Sequence, residues 1–278
     1  MELLDGKLLS AKIKDEVKAG ADEYHLTPIL AVITIGDDEA SKVYVENKRK
    51  ACEYVGISMM HFDYASCVKE EVVIKKIKEL NKDRTVSGII LQLPLPDGFD
   101  SNKIINYISP IKDVDGLTEN SMGKLLIGEE GFIPCTPKGI LEILDYYKIN
   151  LEGKHVVVVG RSILVGKPIA LECLKRNATV TMCHSKTKDL AHYTKEADIL
   201  IVAVGKKHLI DKTMVKNGVV IIDVGITRIE KKLYGDVNPD AYELASYVTP
   251  VPGGVGPMTV AMLMKNTLIA YKKINDPQ

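Results

Sequence analysis

The sequence predicts an α/β protein of two domains, each built around a parallel sheet. Short apolar runs rich in valine and isoleucine, typical of strands buried on both faces, alternate with segments whose apolar residues recur at helical spacing. Strands that alternate with helices in this way are joined by right-handed crossovers into parallel sheets. The chain has 278 residues, and at roughly 150 residues per domain this length suggests two domains.

The first half of the chain contains three predicted strands separated by helices. The predicted elements are a helix at Leu8–Tyr24, a strand at Pro28–Ile35, a helix from Ser41 to Val55, a strand at Met59–Tyr64, a helix at Glu70–Leu80, a strand at Gly88–Leu93 and a short helix at Ser101–Ile108. A helix predicted at Pro137–Tyr147 leads out of this half. We place the domain boundary near residue 140, so that residues 1–140 form the first domain and residues 141–256 the second.

The alternation restarts at Val156 and predicts a Rossmann-like sheet in the second domain. Its strands are predicted at 156–160, 179–183, 199–204, 219–224 and 246–249, with helices at 168–175, 189–195 and 258–274. The opening stretch, V-V-V-V-G-R-S-I-L-V-G-K-P, reads as a buried strand, a turn and a helix whose N-terminus could attract a phosphate. Its glycines, Gly160 and Gly166, depart from G-x-G-x-x-G, and the alternative is that they serve helix packing alone.

The second strand of this predicted sheet ends in C-H-S-K-T. Dinucleotide-binding folds that prefer NAD place an acidic residue there, against the ribose hydroxyls. Ser185, Lys186 and Thr187 occupy this place instead. Together with Arg161, these three residues favour a site for the ribose phosphate of NADP. The alternative is that Lys186 and Lys188 are ordinary solvated charges.

Three further turns are candidates for the same ligand edge. Gly205 and Gly225 each follow an apolar strand, and the proline- and glycine-rich stretch Pro252–Pro257 follows a third. Ligands of open parallel sheets bind at the carboxyl ends of the strands. Single glycines there are often only turns, but three such turns in successive strands favour a ligand site.

Tyr44, Lys48 and Gln92 are the candidate catalytic group of the first domain. Tyr44 and Lys48 are four residues apart and therefore share one helix face, although the same spacing is common among surface pairs. Gln92 interrupts the apolar strand I-I-L-Q-L, and a buried amide without a hydrogen-bond partner costs roughly 1–3 kcal/mol. A lysine would satisfy that amide. A partly desolvated lysine beside an uncharged partner has a lowered pKa and can act as a general acid or base.

Asp113 and Asp115 lie two residues apart on the loop I-K-D-V-D-G-L-T. The loop lacks the further oxygen ligands of a calcium motif, so we expect no metal. A carboxylate here could instead pair with two N–H donors of a substrate ring, as carboxylates pair with arginine.

The composition excludes several classes of partner. Basic and acidic residues number 37 each, giving a formal net charge of zero, so neither nucleic acid nor a membrane surface is an expected partner. No apolar run reaches the ~18 residues of a membrane span. The five scattered cysteines and the absence of a targeting pattern predict reduced thiols in a cytoplasmic protein.

Several motifs in register resemble one known family. They are S-K-V-Y-V-E-N-K-R-K-A-C-E-Y-V-G-I, G-I-I-L-Q-L-P-L-P, K-D-V-D-G-L-T, P-C-T-P-K-G-I, V-V-G-R-S-I-L-V-G-K-P and T-P-V-P-G-G-V-G-P-M-T-V-A-M-L-M-K-N-T. In this order and over nearly the whole chain, they closely resemble the bifunctional methylenetetrahydrofolate dehydrogenase/methenyltetrahydrofolate cyclohydrolases.

This resemblance implies NADP-dependent oxidation of methylenetetrahydrofolate and hydrolysis of the methenyl product to formyltetrahydrofolate. It also implies a homodimer, an active-site cleft between a folate-binding catalytic domain and an NADP-binding domain, and a final helix, 257–278, that joins the first domain. By the family pattern, Lys48 is catalytic, Gln92 tunes it, Tyr44 lines the folate site and Asp115 holds the pterin. The other implied folate-site residues are Leu91, Leu93, Pro252, Gly253, Gly254, Val255 and Gly256. The implied NADP contacts are Gly160, Arg161, Ser162, Ser185 and Ile226.

Two positions depart from the family pattern, and two rival functions stay open at this point. Thr227 stands where asparagine is usual and Lys207 where proline is usual, which bears on nicotinamide binding and on the ratio of the two activities. One rival is another two-domain dehydrogenase, acting on an amino or hydroxy acid. The other is a nucleotide-sensing protein without catalysis, which an intact set of catalytic residues disfavours.

Overall fold

The computed structural model describes residues 1–23, 27–230 and 232–275. Tyr24, which ends the first predicted helix, and residues 276–278 of the C-terminal segment lie outside the described residues. The described strands are β1 (Glu2–Leu3), β2 (Ile29–Ile35), β3 (Ser58–Tyr64), β4 (Val86–Leu91), β5 (His155–Val159), β6 (Thr179–Cys183), β7 (Ile199–Val202), β8 (Val219–Asp223), β9 (Thr227–Ile229), β10 (Lys232–Tyr234) and β11 (Ala245–Val248). The described α-helices are α1 (Gly6–Glu23), α2 (Glu39–Val55), α3 (Glu70–Lys82), α4 (Ser101–Ile105), α5 (Glu119–Ile127), α6 (Cys135–Tyr146), α7 (Gly166–Lys175), α8 (Leu190–Lys195) and α9 (Val255–Asn275).

The chain divides into two compact units. The six-stranded unit consists of Met1–Ser10 and Thr136–Thr259, and the three-stranded unit of Ala11–Cys135 and Val260–Gln278. The division falls inside α1, at the start of α6 and inside α9. The sequence analysis assigned residues 1–140 and 257–278 to the first domain. Residues 1–10, 136–140 and 257–259 instead belong to the six-stranded unit, and β1 pairs with β11 in its sheet.

The three-stranded unit is built on a parallel sheet with strand order β3, β2, β4. The central strand β2 is buried along almost its whole length, and the edge strand β3 is mostly exposed or half-buried. This burial agrees with the apolar run of β2 and the alternating pattern of β3. The buried face of α3, including Val73, Ile74 and Ile77, packs with the strands in one apolar core.

A buried lysine closes the carboxyl end of α3. The Lys112 ammonium donates hydrogen bonds to the carbonyl oxygens of Leu80 (2.8 Å) and Asp83 (2.6 Å). These carbonyls lie at the end of the helix, where the helix itself provides no donor. Burial lowers the pKa of Lys112, and the charge of Asp83 opposes this shift. Lys112 therefore stabilises the helix end that leads into β4.

The six-stranded unit contains a parallel sheet with the order β1, β11, β8, β7, β5, β6. Every adjacent pair of strands in it is parallel. The valine and isoleucine runs of β5, β7 and β8 are buried throughout, as expected for strands covered on both faces. This unit confirms the predicted Rossmann-like alternation.

Several short elements escaped the sequence analysis. The antiparallel ribbon of β9 and β10, the two-residue strand β1 and the helix α5 were not predicted. Two- and three-residue strands carry no measurable periodicity, which explains the first two omissions. No helix among the described residues is long and apolar enough to cross a membrane.

Candidate active site

Helix α2 carries Tyr44 and Lys48. The helix begins after Asp38, whose carboxylate accepts the Ser41 N–H at 2.7 Å, and it ends at Gly56 in a left-handed conformation. Tyr44 is 48% exposed and lies one turn before Lys48 on the same face. The caps at both ends therefore set the position of these two side chains.

Lys48 and Gln92 contact each other directly. Lys48 Nζ donates to Gln92 Oε1 at 2.8 Å, while Gln92 Nε2 donates to the Leu93 carbonyl at 2.7 Å. The second bond fixes the amide, so that its oxygen faces the lysine. The structure thus brings together the two residues that the sequence analysis paired.

The predicted strand Gly88–Leu93 was placed two residues too far along the chain, because β4 spans Val86–Leu91 and Gln92 follows it. The Gln92 N–H still donates to the Ile33 carbonyl at 2.8 Å, which keeps the residue beside β2. Leu91 packs in the apolar core of the unit and Leu93 packs partly against it. The side chains of these two predicted folate-site residues thus serve the core.

The surroundings of Lys48 favour its neutral form. Burial lowers the pKa of Lys48, and the negative charge of Asp115 opposes this shift. Gln92 supplies an acceptor without a charge, so it does not stabilise the ammonium as a carboxylate would. Behind the lysine, the buried Cys52 thiol lies 3.6 Å from the sulfur of Met264, and burial raises the pKa of Cys52 to about 12.

The loop at Asp115 is held by residues that the sequence analysis missed. The Cys135 thiol donates to the Val114 carbonyl at 3.4 Å, and it lies near enough to the Asp115 carboxyl group to oppose the rise in the pKa of Asp115. Asn266 of α9 donates to the neighbouring Val114 carbonyl at 2.8 Å. Burial raises the pKa of Asp115, and the charge of Lys48 opposes the shift. A polar Asn266 within an apolar helix was the available signal for this contact.

Asp113, the other candidate on the same loop, has a structural role. Its carboxylate accepts hydrogen bonds from the main-chain N–H groups of Leu117 (3.1 Å) and Thr118 (2.9 Å) and from the hydroxyls of Thr118 (2.7 Å) and Ser121 (2.6 Å). Gly116, which follows Asp115, has φ +69°, and a Cβ there would overlap the main chain at Ile133. Asp113 therefore shapes the loop that presents Asp115.

No metal site accompanies these acids in the described part of the chain. Residues 1–23, 27–230 and 232–275 contain no group of three histidine, cysteine or acidic side chains placed to hold a metal ion.

The first turn of the six-stranded unit is compact because of its glycines. Gly160 follows β5 with φ +129°, and a Cβ on it would overlap the Ala203 carbonyl. A Cβ on Gly166, the first residue of α7, would overlap the Gly160 carbonyl. Ser162 Oγ accepts the Val165 N–H at 3.1 Å near the start of the helix. Arg161 and Ser162 are exposed beside this helix N-terminus, a combination that fits an anionic group.

The turn after β6 offers only neutral and basic side chains. The Thr187 hydroxyl accepts the His184 N–H at 2.8 Å, and the Thr187 N–H donates to the His184 carbonyl at 2.8 Å. This closed turn leaves Ser185 and Lys186 exposed. It lies beside the first turn, because Gly160 N–H donates to the carbonyl of Cys183 at the end of β6. The hydroxyl and basic side chains of the two turns fit a ribose that carries a phosphate. Residues 184–188 contain no carboxylate that would repel this phosphate.

The carboxyl ends of β7 and β8 expose apolar side chains. Val204 and Ile226 are each 39% exposed. A Cβ on Gly256 would lie 3.6 Å from Ile226, so the predicted proline- and glycine-rich loop lies next to Ile226. Thr227 Oγ1 is buried and lacks a hydrogen-bond partner in the described chain. An unpartnered hydroxyl beside exposed apolar side chains fits an edge that receives the ring of a ligand.

The loop Pro252–Gly256 is anchored through its main chain. The Gly254 N–H donates to the Pro250 carbonyl and the Gly253 carbonyl accepts the Lys7 N–H, both at 2.8 Å. Gly253 has φ +107°, which favours glycine. Val255 begins α9. The other departure from the family pattern, Lys207, lies with its Nζ 3.6 Å from the centroid of the Tyr234 ring.

Family models match both halves of the chain. The catalytic domain of tetrahydrofolate dehydrogenase/cyclohydrolase matches residues 4–115, and its NAD(P)-binding domain matches residues 134–275. The chain belongs to the tetrahydrofolate dehydrogenase/cyclohydrolase family. It is accordingly a bifunctional enzyme with an NAD(P)-binding domain, as the sequence predicted.

Relatives of this tetrahydrofolate dehydrogenase/cyclohydrolase agree over their full length. The bifunctional protein FolD of Agathobacter rectalis is 54% identical over 276 residues, covering 98% of this chain and 99% of that protein. The crystal structure of FolD from Campylobacter jejuni is 46% identical with a TM-score of 0.96, covering 98% and 99% of the two chains. The Trypanosoma brucei FolD structure, complexed with NADP cofactor and inhibitor, is 35% identical with a TM-score of 0.92, covering 97% and 96%.

Proposed function

We propose that this enzyme oxidises methylenetetrahydrofolate with NADP and hydrolyses the methenyl product, and that Lys48 is the catalytic residue of the hydrolysis. The observation that carries the proposal is the 2.8 Å hydrogen bond from Lys48 to Gln92, together with the lowered pKa of Lys48. A lysine with a lowered pKa is neutral in a larger fraction of molecules, and its neutral amine can take a proton from water.

The oxidation depends mainly on positioning. The hydride leaves a carbon bonded to two nitrogens, whose lone pairs stabilise the remaining cation, so alignment contributes more than acid catalysis. Bound NADP supplies the acceptor for this hydride. On the protein side, Asp115 would hold the pterin ring by accepting two of its N–H groups. The half-exposed Tyr44 offers an aromatic face to the folate.

The hydrolysis requires movement of protons. The oxygen of a water molecule bonds to the methenyl carbon while Lys48 takes one proton from that water, which leaves a neutral hydroxyl adduct. One carbon–nitrogen bond of the adduct then breaks. The departing nitrogen gains a proton, the hydroxyl loses one, and the carbon remains on the other nitrogen as a formyl group. Gln92 keeps the Lys48 amine oriented without adding a charge that would raise its pKa.

Product analysis tests both activities. The enzyme is given methylenetetrahydrofolate and NADP, and the folate products are separated after quenching. In Lys48→Met we expect hydrolysis to fall by at least about 100-fold and oxidation to fall much less, because general acid–base catalysis contributes typically 10²–10⁴-fold. Lys42→Met is the matched control, since Lys42 is an exposed residue on the same helix that pairs with Asp37 at 3.0 Å. Full hydrolysis in Lys48→Met would remove Lys48 from the mechanism.

The preference for NADP over NAD is tested at the residues expected to lie beside the adenosine ribose. The exposed Arg161 and Ser185, with no carboxylate at residues 184–188, support NADP over NAD. We expect a higher kcat/KM with NADP, and we expect Arg161→Ala to reduce the NADP value more than the NAD value. A wild-type enzyme that prefers NAD would contradict this interpretation.

We further propose a cytoplasmic homodimer. The family pattern supports the dimer, and the five free cysteines support a reducing compartment. Light scattering on the purified enzyme should give twice the mass of the chain, and cell fractionation should recover the activity in the cytosol. A monomer, or activity in another fraction, would contradict the corresponding part of the proposal.

A further inference from the structure

Two buried carboxylates lie at the carboxyl edge of the six-stranded sheet, outside the residues discussed so far. Asp223 is the last residue of β8 and Asp236 follows β10. The two residues are 1% and 0% exposed. Among the described residues, no lysine, arginine or histidine forms an ion pair with either carboxylate. A buried carboxylate without a cation is costly unless main-chain donors compensate it.

Asp236 accepts three consecutive main-chain N–H groups. Its Oδ2 accepts those of Val204 (2.7 Å) and Gly205 (3.0 Å), and its Oδ1 accepts that of Lys206 (2.7 Å). Successive N–H groups that converge in this way form an anion-binding concavity. Here a side chain of the protein itself fills it and thereby fixes the turn that follows β7.

Asp223 holds Asp236 in place. Its Oδ1 accepts the Asp236 N–H at 2.9 Å and its Oδ2 accepts the Val237 N–H at 3.0 Å. A Cβ on Gly225 would overlap the Asp236 carboxylate, so the segment after β8 packs directly against the acid that orders the turn after β7. The conformations of the turn after β7 and of the segment after β8 therefore depend on each other.

Burial changes the pKa of both acids. It raises the pKa of Asp223 to about 7 and also raises the pKa of Asp236. Main-chain donors oppose both shifts. Geometry alone, however, identifies what the pair does: it connects the ends of two neighbouring strands.

The ends of β7 and β8 lie where dinucleotide-binding folds receive one half of the cofactor. In dinucleotide folds the pyrophosphate lies at the first strand–helix turn and the adenosine ribose at the end of the following strand. In this sheet those places are the ends of β5 and β6, and β7 and β8 lie on the other side of β5. The exposed Val204 and Ile226 at the ends of β7 and β8 would therefore face the nicotinamide half of a bound cofactor.

We propose that Asp236 and Asp223 are positioning residues, which hold the Val204–Lys206 turn and the Gly225–Thr227 segment in the shape that receives the nicotinamide half of the cofactor. This inference rests on the proposed function, because it requires NADP to bind along the carboxyl edge of the sheet. Asp236 acts on the turn directly, and Asp223 acts through Asp236.

The test is Asp236→Asn in the full-length enzyme. An amide of the same size cannot accept all three N–H groups, because its NH2 would face one of the donors. Loss of a hydrogen bond to a charged group predicts a KM for NADP raised roughly tenfold or more. The hydrolysis of added methenyltetrahydrofolate needs no cofactor and should change less than about twofold by the same reasoning. A purely structural role would reduce both activities together.

The matched control is Asp198→Asn. Asp198 accepts the His155 N–H at 2.8 Å and pairs with Lys216 at 2.7 Å, but it precedes β7 and so lies at the opposite end of that strand. Its variant should keep the wild-type KM for NADP. An Asp236→Asn enzyme with an unchanged KM, or with one raised no more than in Asp198→Asn, would overturn the proposal.

A second variant covers the case in which Asp236→Asn does not fold. Gly205 has φ +65° and open space around its Cβ position, so Gly205→Ala strains the same turn without touching the carboxylate. It should also raise the KM for NADP, and an unchanged value would count against the proposal. Failure of the wild-type enzyme to use NADP would instead refute the proposed function, so the wild type is measured first.

Discussion

Replacing Gln92 with glutamate would put a negative charge next to the catalytic amine. The Gln92 oxygen lies 2.8 Å from Lys48 Nζ. At this distance and an effective dielectric constant of about 20, the attraction is roughly 6 kcal/mol. The attraction stabilises the ammonium form and so raises the pKa of Lys48. Since about 1.4 kcal/mol is a factor of ten in an equilibrium, a small part of this attraction is enough to change the fraction of neutral lysine tenfold.

This rise predicts a specific loss of hydrolysis. Less of the lysine is then neutral at a given pH, so kcat for hydrolysis should fall by roughly tenfold or more. The pH profile of hydrolysis should move to higher pH. Oxidation depends on positioning and should fall less than about tenfold.

The assay follows hydrolysis of methenyltetrahydrofolate across pH and, separately, the formation of NADPH. Gln92→Met is the control, because it removes the acceptor without adding a charge and should not move the pH profile upward. An unchanged profile in Gln92→Glu would refute the argument that an uncharged partner helps to keep the pKa of Lys48 low. Equal losses of both activities would show that the variant disturbs substrate positioning instead.

Three other perturbations follow from the structure. Lys112→Met removes the ammonium donor from the Leu80 and Asp83 carbonyls, of which the Asp83 carbonyl keeps the Val86 N–H, and should lower the free energy of unfolding by about 1–3 kcal/mol; a loss below about 1 kcal/mol in denaturant titration would contradict that role. Gly166→Ala overlaps the main chain of Gly160, so NADP binding by titration should weaken roughly tenfold or more while hydrolysis persists; unaltered binding would show that the turn adapts. Lys48 has a folded pKa below its ordinary value, so the unfolded chain binds more protons between those two pKa values, and stability rises with pH across that window. Lys48→Met should flatten that rise in pH-dependent unfolding, and an unchanged slope would contradict the burial of the ammonium.

The sequence predicted the main strands because their residues are decided locally. Runs such as V-V-V-V and I-L-A-V-I-T-I have one stable solution in a protein of this size, a strand buried on both faces. The lysine and glutamine also left local signals, one as a helix spacing and the other as a polar interruption of an apolar run. What the sequence could not show is that Gln92 stands just past the strand, where it keeps a sheet hydrogen bond and frees its side chain.

The residues that the sequence analysis missed act over long separations. Asn266 reaches Val114 across 152 residues and Asp236 reaches Val204 across 32. Neither contact has a periodic signature, and both depend on which strand ends become neighbours. The sheet order that makes them neighbours depends on packing of the whole unit, so these contacts become visible only in three dimensions.

The pair Asp113 and Asp115 shows how a structure separates a functional acid from a structural one. An ionised carboxylate offers about four acceptor positions, and Asp113 accepts four hydrogen bonds from its own loop. It has no capacity left for a ligand. The donors of the loop are thus used by Asp113, whereas Asp115 lies close enough to Lys48 for their charges to interact. Asp115 is therefore distinguished from Asp113 by oxygen atoms that can still accept hydrogen bonds and by its position beside a lysine of lowered pKa. N–H donors from a substrate ring would stabilise the ionised form of the Asp115 carboxylate.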